Sequence, residues 1–150
     1  MAEWTSVAVQ TVNPGESIVF TENPVRCTKG YVLHRDDSGA FLMKGIDTNL
    51  STGCPCCQPR TVDYMVDFGA NIAVPTGETV GPISVAFALD GSSLAGTEMI
   101  VTPAAVEDYF NVSRAANVSI WKGCCQTLSI RNTSAIPILV QDANVVFAKR

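Results

Sequence analysis

The chain has 150 residues, with 10 Lys plus Arg against 14 Asp plus Glu, 47% apolar residues and only 16% charged ones, the balance of one compact domain. Val, Ile and Thr supply 40 of the 150 residues, and 11 Gly and 8 Pro punctuate them, a strand-and-turn composition that excludes a helical bundle. A net charge of −4 and an isoelectric point near 4.8 exclude a nucleic-acid binder that works through a basic stripe, and no run approaches the ~20 apolar residues of a membrane-spanning helix.

The start of the chain, Met1, Ala2, Glu3 and Trp4, lacks the basic segment and apolar core of a signal peptide, so synthesis in the cytoplasm is expected. Residues 1–12 are read as a tether, a swapped strand or the first strand of the domain. Short strands are expected at Val7–Val12, Ser17–Phe20, Gly30–Leu33 and Phe41–Gly45, with turns at Asn13-Pro14-Gly15 and Asp36-Asp37-Ser38-Gly39. From Thr61 the pattern sharpens. Val62, Tyr64, Val66, Phe68, Ala70, Ile72 and Val74 alternate with polar or small residues, the period of a long strand with one face on a core. A second alternating run, Ile83, Val85, Phe87 and Leu89, stops at the turn Asp90-Gly91-Ser92-Ser93.

After a strand at Glu98–Val101, Thr102 and Pro103 could open one helical turn, but the surrounding period favours a loop. Phe110, Val112, Ala116, Val118 and Ile120 then share a face that Arg114 interrupts, so a bulge or strand break is expected at Arg114. Strands at Gln126–Arg131, Ile136–Val140 and Val145–Ala148 close the chain. About ten short strands at this spacing indicate a sandwich, jelly roll or closed barrel.

Six cysteines stand in a chain large enough to fold without them. Five form two clusters, Cys54-Pro55-Cys56-Cys57 and Cys124-Cys125, in expected loops; Cys27 stands alone as a small buried residue or a partner for a cluster. Three readings stay open. Adjacent cysteines rarely bond each other, so each cluster suits disulfides to different partners. Cys54 and Cys57 form half of a zinc site that Cys124 or Cys125 would help complete. A redox CxxC would need a strand feeding a helix N-terminus, and no such unit is visible.

The single histidine, His34, lies beside Asp36 and Asp37, where an exposed ring bonded to a carboxylate is expected ahead of a metal ligand or general base. Asp63 and Asp67 read as a solvated strand face. No nucleophile elbow, zinc-protease motif or phosphate loop is present, and the chain reads as non-enzymatic. Trp121, Tyr109, Asp36 and Asp37 are the candidate ligand contacts of a carbohydrate-binding module, with Trp121 alternatively at a subunit interface.

The segments "YMVDFGANIAV", "GPISVAFALDGSSLAGTEMIV" and "YFNVSRAANVSIWKGCCQTLSIRNTSAIPILVQDANVVFAKR" resemble the C-terminal domain of bacterial exosporium-type collagen-like surface proteins, within the complement-component and tumour-necrosis-factor jelly-roll class. The resemblance covers residues 60–150 well and "VNPGESIVF" loosely. It implies an all-β, two-sheet antiparallel jelly-roll sandwich of about ten strands, tumour-necrosis-factor-like, spanning 1–150 as a single domain and assembling as a homotrimer. The sequence departs from the exosporium pattern in having no Gly-X-Y repeats before the domain, and similar stand-alone domains look like phage virion components such as capsid decoration or head-fibre proteins. The expected role is a structural, self-assembling virion or spore/cell-surface component stabilised by Cys27, Cys54, Cys56, Cys57, Cys124 and Cys125. Its partners would be copies of itself, capsid or surface-layer proteins and glycans, with no nucleic acid and no membrane. No cofactor is expected beyond zinc at the cysteines.

Overall fold

The computed structural model describes residues 1–46 and 60–150. Every regular element among them is a strand: β1 (Ala2–Ser6), β2 (Gln10–Val12), β3 (Glu22–Val25), β4 (Val32–His34), β5 (Phe41–Lys44), β6 (Thr61–Ala73), β7 (Ile83–Leu89), β8 (Ser92–Ser93), β9 (Met99–Val101), β10 (Phe110–Trp121), β11 (Cys125–Asn132) and β12 (Ile138–Lys149). They form two six-stranded antiparallel sheets. The first runs β10-β6-β12-β1-β3, with β2 also on β12; the second runs β4-β5-β11-β7-β8, with β9 on β7.

The alternation of β6 works as the sequence dictates. Val62, Tyr64, Val66, Phe68, Ala70 and Ile72 all turn inward and are buried. From the opposing sheet come Phe41, Met43, Val85, Phe87, Leu128 and Ile130, also buried. Phe41 sits at the aromatic centre, its ring 5.1 Å from Trp4, 5.4 Å from Phe20 and 5.0 Å from Phe147. Each such fully buried side chain contributes about 1.5–3 kcal/mol relative to an exposed one.

Asp90 and Gly91 take φ values of +50° and +87°, the paired left-handed conformation of a tight hairpin, and this is why the alternating run ends there. Gly45 is required for another reason. A Cβ on it would collide with the backbone carbonyl of Trp121, because the end of β5 packs directly on the turn after β10.

Several sequence expectations need correction. The first strand is not Val7–Val12: β1 lies at Ala2–Ser6, between β12 and β3, with Trp4 buried, and β2 begins only at Gln10. Residues 1–12 thus supply two strands of the chain's own sheet. Ser17–Phe20 forms only two isolated bridges, because this segment crosses from Arg131 in one sheet toward β3 in the other. The chain also makes a strand at Glu22–Val25 despite Pro24, which an edge strand tolerates.

Strand β10 has no break at Arg114. Its register with β6 is continuous from Phe110 to Trp121, and Arg114 stays exposed on an edge strand while its guanidinium donates to the Glu98 carbonyl at 3.2 Å. The two strands expected after Ile136 are one strand with a bulge between Gln141 and Asn144, where Asp142 takes φ +51°.

Candidate assembly face and cysteine-bearing end

The three longest strands, β6, β10 and β12, lie side by side, so their outward residues form a regular grid. Reading across β10, β6, β12 and β1, one row is Ser113, Gly69, Asn144 and Thr5; the next is Ala115, Asp67, Val146 and Glu3. Beyond them come Asn117, Met65 and Ala148, then Ser119 and Asp63, then Trp121 and Thr61. Small and amide side chains make this face flat. A shallow depression of about 550 Å³ is centred on Gly69, with Asp67, Phe68, Ser113, Arg114, Ala115 and Asn144 around it. A Cβ at Gly69 would sit 3.1 Å from the Asn144 amide oxygen.

Along the adjoining edge stand exposed apolar groups, Ile100 at 61% and Phe110 at 40% of full exposure, with Val106, Tyr109 and the Arg114 guanidinium nearby in the chain. Asp67 has no ionic partner among the described residues of its own chain, and Arg114 bonds only a carbonyl. The Asp67 carboxylate and the Arg114 guanidinium, both at the Gly69 depression, are open to groups of opposite charge on a partner.

The cysteine-bearing end lies at the far tip of β10. Gly45 donates to the Cys124 carbonyl at 2.8 Å, Gly123 donates back to Gly45 at 3.1 Å, and Lys122 donates to the Arg60 carbonyl at 3.0 Å. Gly45 and Arg60 are thus both tied to the turn carrying Cys124 and Cys125. Both thiols are free and exposed. Cys54, Cys56 and Cys57 lie outside the described residues. Among the described residues, no three His, Cys, Asp or Glu side chains are grouped to hold a metal ion, and the zinc reading, which needs Cys54 and Cys57, falls outside them.

Cys27 is half-buried against the core, also with a free thiol, rather than bridged. Two phenols stand near it. Burial, then the Cys27 thiol, pushes Tyr31 above the ordinary phenol range. Burial does the same to Tyr64, with Cys27 and Tyr31 adding, and lifts it to about 12. The Tyr64 hydroxyl donates to the Lys44 carbonyl, which anchors β6 to β5.

The other candidates are scattered. Tyr109 precedes β10 and Trp121 ends it, so they lie roughly 40 Å apart at ~3.3 Å per residue and cannot touch one small ligand. Trp121 is 59% exposed and points from the same face as Ser119 and Asn117. Asp36 and Asp37 form the exposed turn between β4 and β5, Asp37 at φ +55°, on the side of the sandwich. His34 bonds the Ser38 carbonyl at 2.8 Å rather than an aspartate, and its ring stacks on Phe41 at 4.5 Å. That leaves it a packing role. With Cys27 and Asp36 it lines a groove of about 270 Å³ between the edge strands β3 and β4.

The architecture aligns with the globular domain of zebrafish complement 1qA protein at TM-score 0.60 and 12% identity, over 97% of this chain and 94% of that one. Eiger TNF from S. frugiperda aligns at TM-score 0.66 and 10% identity, over 99% of this chain and 90% of that one. The fold is the complement/tumour-necrosis-factor jelly roll. The EclA C-terminal domain, a sugar-binding protein, aligns at TM-score 0.40 and 11% identity over 94% of this chain and 79% of that one, too loose a likeness to bear on binding. No protein-family model and no curated protein matches the sequence.

The face escaped the sequence reading, although its signal was there: the outward positions of the two longest alternating runs are nearly all Gly, Ala, Ser, Asn or Asp.

Proposed function

We propose that the chain is a non-enzymatic structural head that assembles as a homotrimer on a virion, spore or cell surface. The observation that carries this reading is the flat outer face of β10, β6, β12 and β1, which joins the apolar β9–β10 edge. In the assembly the edge of one protomer packs on the face of the next, and Arg114 of one copy meets Asp67 of another. Three such contacts close a ring. The cysteines reinforce the assembly in an oxidising setting, with Cys124 and Cys125 bridging to other cysteines of the same or a neighbouring chain.

Light scattering on the native protein, with and without reductant, tests this. A mass near 48 kDa (3 × 16.0) in both is expected if bridges lie within chains. A mass that falls only with reductant would place them between chains, and a monomer in both would refute the trimer. Arg114→Glu should dissociate the assembly and Asp67→Arg should restore it in the double variant. Trp121→Ala separates this reading from a carbohydrate-binding module: weaker assembly supports the interface, whereas loss of glycan-array binding with assembly intact would favour the module.

A further inference from the structure

The sequence scatters its ten cations, but the fold gathers six of them, Lys29, Lys44, Arg60, Lys122, Lys149 and Arg150, at the end where β5, β6, β10 and β12 meet. A groove of about 270 Å³ opens there, and three of the six, Lys29, Lys149 and Arg150, line it with Thr28 and Tyr31. No Asp or Glu side chain is among its described lining. Met1 also lines the groove, its ammonium bonded to the Tyr31 hydroxyl. In a protein of net charge −4, this concentration of positive charge in a concavity is a local reversal of sign.

The lining also supplies hydroxyls. Tyr31 is almost fully buried, and its hydroxyl accepts from the Met1 ammonium at 2.6 Å and is hydrogen-bonded to the Cys27 side chain, which fixes the oxygen at the groove wall. Burial keeps that phenol protonated well into alkaline solution. Thr28 adds a second hydroxyl. Arg150 is held at its backbone, where its amide donates to the Asp63 carbonyl at 2.9 Å, while its guanidinium makes only a weak contact with the Met65 sulfur at 3.8 Å. Among the described residues neither Lys29 nor Arg150 forms an ion pair.

We infer that this groove is a binding site for a tetrahedral oxyanion group, phosphate or sulfate, held by Lys29 and Arg150 with the Thr28 hydroxyl as a neutral donor. Arginine and lysine together suit such a group: the guanidinium offers a planar fork and the ammonium a point charge. The site belongs to each protomer and does not depend on the trimer reading.

The test is calorimetric titration of the full chain with inorganic phosphate and, separately, inorganic sulfate at low ionic strength, where exposed charges are least screened. Saturable binding of one anion per chain is expected, weakened about tenfold by Lys29→Ala or Arg150→Ala. Arg60→Ala removes a cation from the same end but outside the groove lining, and it should leave affinity within about twofold. The tighter of the two anions identifies the ester class of the natural ligand. Amide shifts confined to residues 28–31 and 148–150 of the unsubstituted protein provide a readout that does not depend on any variant folding. Absence of saturable binding of both anions overturns the site. Equal weakening by Arg60→Ala overturns it too, because the anion would then be responding to the general field of that end.

Discussion

The two sheets have the same number of strands but opposite outer faces. In the second sheet, six consecutive residues of β7, Ile83 to Ala88, are buried, so both faces of the strand are covered. The cover is local chain: Arg131 lies across the sheet to bond the Gly91 carbonyl at 2.7 Å, and Ser84 is tied to Ser134 and Thr133, each at 2.7 Å. In the first sheet, β6 and β10 bury one face only, and Asp67, Ser113, Ala115 and Asn117 remain bare. Where the chain has already covered a face, that face is finished. Where long strands leave a smooth one uncovered, the surface is available to a neighbour.

Substitutions should separate the two cases. The largest effect is expected where the sheets meet: Phe41→Ala should cost about 3–5 kcal/mol in denaturant unfolding, because it empties the aromatic centre that both sheets share. Next comes the cover of the second sheet and its end. Asn132 is 1% exposed and donates to Val12 and Ile136 at 2.9 Å each while accepting from Ser134, so Asn132→Leu should cost about 1–3 kcal/mol. A smaller and pH-dependent effect attaches to Tyr64. Its folded pKa of about 12 exceeds the ordinary phenol value of 10.0, so the neutral form is favoured in the folded state. The associated stability is complete below about pH 10 and falls away between there and about 12, and Tyr64→Phe should flatten that decline in melting temperature. The smallest effect on the isolated fold belongs to the bare face: Ala115→Arg should change unfolding free energy by no more than about 0.5 kcal/mol yet abolish assembly. If it unfolds the protein instead, the contrast between the faces fails.

The β-sandwich was legible because burial acts on one residue at a time along a strand. Val62 to Ile72 alternate in sequence and alternate in space. What could not be read was anything decided by a distant partner. Arg114 looked like an interruption because its position is inward by period; only the pairing order reveals an edge strand, where an inward position still reaches solvent. Glu3 and Thr5 gave too short a pattern to mark β1, whose place is set by β12 and β3. For the same reason Tyr109 and Trp121 seemed companions in sequence and stand at opposite ends of one strand, while Lys29 and Arg150 are distant in sequence and share a groove. Grouping of side chains is a property of topology, and no periodicity encodes it.

The pairing of β1 with β12 sets an order of events in time. Ala2 lies opposite Phe147, and Glu3 opposite Val146, so the middle of the first sheet joins segments more than 140 residues apart. During synthesis β1 has no partner on that side until β12 has left the ribosome, and Trp4 waits with it. Closing so long a loop is entropically slow, which places folding toward the millisecond-to-second end of the range for single domains. The first strand, with Trp4 in it, is therefore the segment that spends longest without its neighbour, and the stage before β12 arrives is when the nascent chain is most exposed to aggregation.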